Sequence, residues 1–108
     1  GLGGNIGQSF EEFERTPVAK HTDYTTAGTR NTSGNGSIMR NAPIAIFHCN
    51  DLKAGVADAW RQSKTTHQGD EAACCAQLLT HVCIQAYQSP NPSKQILANL
   101  SESFTSDM

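Results

Sequence analysis

The sequence predicts an all-α fold, an orthogonal array of several helices, and three observations carry that prediction. Apolar residues recur at three- and four-residue steps from about position 37 onward. No stretch alternates polar and apolar residues with the period of two that marks a strand. Proline, glycine or asparagine stands wherever the helical period breaks, and no segment repeats another.

The elements follow in order. Residues Gly1 to Gly7 are glycine-rich and without period, so they read as a loop. Ser9 and Glu12 have the spacing of a capping box, Phe10 and Phe13 supply an apolar edge, and a short helix is expected from about Phe10 to Arg15, stopped by Pro17. From Thr16 to Gly36 the chain has six threonines, three glycines and few large apolar residues. A connection of that length is a binding loop or disordered. Its chemically interesting side chains, His21, Asp23 and Tyr24, are expected to be solvated.

Ile38, Met39, Ala42, Ala45 and Ile46 then announce a helix from near Ser37, with Pro43 kinking it or sitting in its first turn. Ile44, Ile46 and Phe47 are expected to face a core, Met39 to pack, and Arg40 to make a structural ion pair. Asn50-Asp51 is a turn, and Asp51 can cap a helix from Leu52 to about Ser63. That helix places Leu52, Val56, Ala59 and Trp60 on one face and Lys53, Asp58 and Arg61 on the other. Asp70 and Glu71 suit the first turn of the longest helix, where negative charge is favourable. Its expected buried stripe is Ala72, Cys75, Ala76, Leu79, Val82, Cys83 and Ala86. Ser89-Pro90-Asn91-Pro92 breaks it, and a last helix carries Ile96, Leu97, Leu100 and Phe104.

Composition narrows the function classes. The 108 residues make at most one domain, and with 37% hydrophobic and 6% aromatic residues its core is thin. A net charge of −2 gives no basic stripe for a nucleic-acid backbone. No apolar run spans a bilayer, and Gly1-Leu2-Gly3-Gly4 lacks a signal pattern. The four cysteines, Cys49, Cys74, Cys75 and Cys83, have no zinc spacing and are expected as small buried hydrophobes in a reducing cytoplasm. A chain that opens on Gly1 and closes on Asp107-Met108 is expected to be a piece of a longer protein.

The stretch Asn31 to Arg40 carries the candidate chemistry. Gly34 and Gly36 let the backbone take positive φ and approach a ligand closely, Asn35 and Ser37 are helix-capping types, and a bend entering a helix offers unpaired N–H groups to an anionic oxygen such as phosphate. On pattern alone these residues also fit an ordinary helix-entry turn. The phosphate loop Gly-x-x-x-x-Gly-Lys-Ser/Thr is absent, and Met39 occupies the third-glycine position of the dinucleotide fingerprint. His67 lies at a helix junction, where a positive dipole end favours the neutral ring. His48 and His81 have no motif around them.

Gly34-Asn35-Gly36-Ser37-Ile38-Met39-Arg40-Asn41-Ala42-Pro43-Ile44 resembles the central signature of the ADP-ribosylglycohydrolase family, of the dinitrogenase-reductase-activating glycohydrolase type. Ser63 to Ala72, with Thr65-Thr66-His67, resembles the same family's threonine-histidine motif. The resemblance implies the central portion of one such all-α domain over residues 1–108. It also implies a hydrolase that frees ADP-ribose from modified protein side chains or related ADP-ribosyl compounds. Substrate contacts would then fall on Gly34, Asn35, Gly36, Ser37 and His67, with Thr32 and Ser33 upstream. The family's paired magnesium or manganese ions are held by acidic segments that this chain lacks, so the resemblance puts those ligands, and the catalytic centre, outside it. The implied partner is ADP-ribose or an ADP-ribosylated protein. An alternative is a non-catalytic ADP-ribose-binding or crystallin-like structural relative.

Overall fold

The computed structural model describes residues 3–16, 25–29, 31–91 and 94–107. Every regular element among them is a helix: α1 (Gly4–Arg15), α2 (Gly36–Met39), α3 (Ala42–Phe47), α4 (Leu52–Lys64), α5 (Asp70–Gln88), α6 (Gln95–Ala98) and α7 (Leu100–Ser103). The expected all-α class is met. The radius of gyration, 15.0 Å, exceeds the roughly 13 Å of a compact chain this long, and the long axis measures 48 Å. The helices therefore form an elongated body rather than a ball.

An antiparallel pair, α4 and α5, is the spine. Asp51 caps α4 as expected, its Oδ1 accepting from Ala54 N at 3.1 Å, and Asp70 and Glu71 lie in the first turn of α5. The pair approaches closely because its facing residues are small. A Cβ on Gly55 would come 2.5 Å from Cδ1 of Ile84 and 3.1 Å from Cβ of His48. The buried face of α4 is Gly55, Ala59 and Ser63; that of α5 is Ala72, Ala73, Ala76, Gln77, Thr80, His81 and Ile84. Among the described residues Ile84 is the one large aliphatic side chain in the core, and alanine, serine, threonine, asparagine, glutamine and histidine fill the rest. Hydrogen bonds hold this polar core: Asn41 donates to Ala76 O and Thr80 Oγ1, and Gln77 donates to Val56 O and Asp107.

Several expectations are corrected. The first helix starts at Gly4, so Ser9 is not its cap; buried inside it, Ser9 bonds back to Asn5 O and across to Thr25. Glu12 accepts from Thr26 instead of closing a capping box. The helix expected from Ser37 breaks at Arg40–Asn41, two residues ahead of Pro43, and becomes α2 and α3. Ile46 and Phe47 face outward, as does Met39 at 79% exposure. On α5 the stripe turns: Cys75 and Leu79 are exposed, while Gln77, Thr80 and His81 are inside, because close helix packing selects small and bondable side chains over large ones. Cys49, Cys74 and Cys83 are only half-buried. The last helix is split at Asn99, and its expected start at Pro92 lies outside the described residues.

Candidate functional site

The threonine-rich connection holds part of the site in place. His21, Asp23 and Tyr24 lie outside the described residues. Thr25, Ala27 and Gly28 are buried. This segment runs between α1 and the α4–α5 junction: Asn5 donates to Thr32 O at 2.9 Å, and Gln68 N donates to Ala27 O at 2.9 Å. Gly28 has φ +71°, and a Cβ there would lie 3.1 Å from Cα of His67 and 2.9 Å from Oγ of Ser33. Only glycine meets both demands without strain.

Beside it opens a cleft of about 620 Å³, lined by Gly3, Gly4, Asn5 and Ile6 of α1, by Thr32, Gly34, Asn35 and Gly36, and by Met39, Arg40 and His67. Five of the seven residues expected to meet substrate thus share one cavity: Thr32, Gly34, Asn35, Gly36 and His67. The main-chain N–H groups of Gly34, Asn35, Gly36 and Ser37 donate to no atom among the described residues. Neither Gly34 nor Gly36 takes positive φ, so their use is space, not conformation. A Cβ on Gly36 would come 3.3 Å from Cε1 of His67, whereas one on Gly34 would meet nothing within 4 Å. At four residues, α2 is too short to add a macrodipole to these N–H groups.

The other two face away. Ser37 is fully buried and its Oγ accepts from Ser63 Oγ at 2.8 Å. Ser33 Oγ donates to Gly28 O at 2.6 Å and accepts from Gly69 N at 3.0 Å, pinning the bend to the start of α5. Ser33, Gly34 and Asn35 also line a second cavity of about 520 Å³, shared with Ile38, Gly69, Glu71, Ala72 and Cys75.

His67 is 2% exposed. Its Nδ1 is 2.6 Å from Thr66 Oγ1, and its main-chain N–H donates to Ser63 O at 2.9 Å. Nε2 has no hydrogen-bond partner among the described residues, yet none of their buried side-chain nitrogens or oxygens is unsatisfied, so Nε2 reaches the cleft. Burial, and then the positive charge of Arg40, hold this imidazole below its ordinary pKa of 6.5. The ring is therefore neutral at pH 7 and offers one donor or acceptor to the cavity. Arg40 is held structurally: among the described residues Nε donates to Gln62 Oε1 at 2.8 Å, and Nη2 donates to Gln62 O at 2.8 Å and Thr65 Oγ1 at 3.1 Å.

The α1 wall was not foreseen from the sequence. Gly3-Gly4-Asn5-Ile6 has no period, and it reaches the cleft only because Asn5 bonds a residue 27 positions away. Its one local signal was a second glycine- and asparagine-rich run resembling the bend.

No group of three or more histidine, cysteine or acidic side chains among the described residues could hold a metal ion. Asp51 caps α4, Asp58 bonds His48 and Arg61, Asp70 pairs with Lys64, and Asp107 accepts from Gln77. A dinuclear site of hard cations needs several converging oxygens, and these residues do not fit one. No helix among the described residues is long and apolar enough to cross a membrane.

Comparison with known proteins adds the following. The sequence profile described as ADP-ribosylglycohydrolase matches residues 1–107. ADP-ribosylarginine hydrolase Tri1 of Pseudomonas putida (strain GB-1) is 52% identical over 48 residues, 44% of this chain and 13% of that protein. No solved structure matches.

Proposed function

Because the chain belongs to the ADP-ribosylglycohydrolase family, we propose that it supplies one wall of the ADP-ribose pocket in a hydrolase that frees ADP-ribose from modified protein side chains. One observation carries this reading: the main-chain N–H groups of Gly34, Asn35 and Gly36, without a partner among the described residues, stand beside a neutral imidazole in one cleft. Main-chain N–H groups suit the oxygens of a diphosphate, and an imidazole nitrogen suits a sugar hydroxyl or a base edge. In this reading Gly34, Asn35, Gly36 and the N–H of Ser37 meet the diphosphate, with Thr32 at the rim. His67 meets the neighbouring group, and Ser33 and Ser37 hold the bend from behind.

The proposal makes the chain the central portion of a larger family domain. The catalytic centre, with its magnesium or manganese ions, would come from the remainder, and no step of the cleavage is assigned to residues of this chain. The name of the matched relative favours ADP-ribosylarginine as the substrate, and free thiols suit a cytoplasmic setting.

Calorimetric titration with ADP-ribose tests the reading. Binding by the unmodified protein and its loss in Gly36→Val are expected, since the added side chain would push into the His67 ring. Equal affinity in both proteins, or none in the unmodified one, overturns it. Binding without release of ADP-ribose from a modified arginine peptide, in a protein that carries the whole domain with magnesium present, would assign the chain to a binding or structural relative instead.

A further inference from the structure

The glycine bend and His67 lie 31 residues apart from Gly36 to His67, yet one buried residue bonds both neighbourhoods, the bend through its side chain and His67 through its main chain. Ser63, in the last turn of α4, and Ser37, in α2, are both fully buried. The Ser63 hydroxyl donates to Ser37 Oγ at 2.8 Å, while the Ser63 carbonyl accepts the main-chain N–H of His67 at 2.9 Å and of Thr66 at 3.2 Å. Two hydrogen bonds therefore connect the bend to the residue that carries the imidazole. The ends of this path meet again across the cleft, where Gly36 leaves room for no Cβ beyond 3.3 Å from the ring.

Nothing local fixes α2. It has four residues and no side-chain cap, and a helix of that length is not stable by itself. It packs on α5, and hydrogen bonds from the end of α4 tie it down. Beside Ser63, the Gln62 amide donates to Ser37 O at 2.9 Å and to Asn41 Oδ1 at 3.0 Å, and accepts from Arg40 Nε. A hydroxyl pair at 2.8 Å has a narrow range of useful geometry, so its loss lets the bend drift relative to the ring.

We propose that Ser63 is a positioning residue for the ADP-ribose pocket: its hydroxyl and carbonyl fix the separation between the N–H groups of the glycine bend and Nε2 of His67. The assignment rests on the ADP-ribose reading above. Removing the hydroxyl leaves that of Ser37 buried without a partner and frees the bend to shift.

The test compares the unmodified protein with Ser63→Ala, Ser63→Thr and Gln77→Met. It measures ADP-ribose affinity by calorimetry and the His67 ring resonance, with its titration midpoint, by NMR. In Ser63→Ala the affinity is expected to fall about tenfold and the His67 resonance to move. Ser63→Thr, which keeps the hydroxyl, restores both. Gln77→Met removes buried bonds from α5 to Val56 of α4 and to Asp107, away from the cleft, and lowers the melting temperature alone. Ser63→Ala with lowered stability but unchanged affinity and an unmoved His67 resonance overturns the proposal. Should Ser63→Ala fail to fold, Ser63→Cys, with its weak donor, is read by the same two criteria. If the unmodified protein does not bind ADP-ribose, the functional reading fails, and the fixed separation is judged on the His67 resonance: displacement upholds it and constancy refutes it.

Discussion

At the scale of single residues, the cleft depends on which hydrogens are absent. Gly36 has His67 Cε1 where its Cβ would begin to crowd, and Gly34 faces open space. Gly36→Ala is therefore expected to displace the ring and weaken ADP-ribose binding by about tenfold or more, while Gly34→Ala leaves the melting temperature within about 0.5 kcal/mol equivalent of the parent. Protonation matters equally. His67 and His81 both have pKa values lowered by burial. A histidine in that state binds fewer protons folded than unfolded. Its contribution is thus intact above the ordinary value of 6.5 and is lost as pH falls through 6.5 toward the folded value. Glu12 behaves separately: hydrogen bonds from Thr26 and Gln8 lower its pKa to about 2, so its contribution is present above the ordinary 4.5 and lost as pH falls from there toward 2. Denaturant midpoints recorded between pH 8 and 3 (roughly the span of the ordinary values) should show two declines. Replacing both histidines by glutamine should remove the upper one, and Glu12→Gln should reduce the lower, to which Asp58 also contributes because hydrogen bonds from Arg61 and His48 lower its pKa.

Among elements, the α4–α5 pair sets everything else. Its close approach through Gly55 means that Gly55→Ala, which improves helix propensity, should nevertheless destabilise the fold by about 1–3 kcal/mol through overpacking against Ile84 and His48. Equilibrium denaturation checks this, and a gain in stability would show that the pair can spread at little cost. Asp51→Ala should cost about 1 kcal/mol as the cap of α4 is lost. The cap of α4 and the acidic first turn of α5 were legible because such effects act over three or four positions. The break between α2 and α3 was not. Gln62, Arg40 and Asn41 form it together, and their bonds span 21 and 22 positions.

For the whole molecule, the outward surface is informative. Cys75 and Leu79 belong to an apolar stripe on α5 that the sequence alone marks for burial, yet they are exposed, as are Ile46 and Phe47 on α3. A 108-residue chain with such faces, set within a larger domain as proposed, should bind a hydrophobic dye and melt with low cooperativity when isolated. Cys75 should react quickly with a thiol reagent in the isolated chain and slowly in a protein carrying the full domain. A sharp two-state melt, or equal labelling rates, would show that these faces need no cover.

Helical period, capping residues and the two motifs around Gly34 and His67 are local properties, carried by side chains a few positions apart, and so the sequence alone determined the fold class and pointed to five of the eleven residues that line the cleft. Only tertiary structure decided that α1 forms the facing wall, that Ser33 and Ser37 turn their hydroxyls away, and that α5 buries Gln77, Thr80 and His81 beside its alanines. Those outcomes depend on hydrogen bonds and close contacts between residues tens of positions apart, such as Asn5 with Thr32 and Ser63 with Ser37. Side-chain type specifies the capacity for such bonds; the packing of α4 on α5 selects the partner.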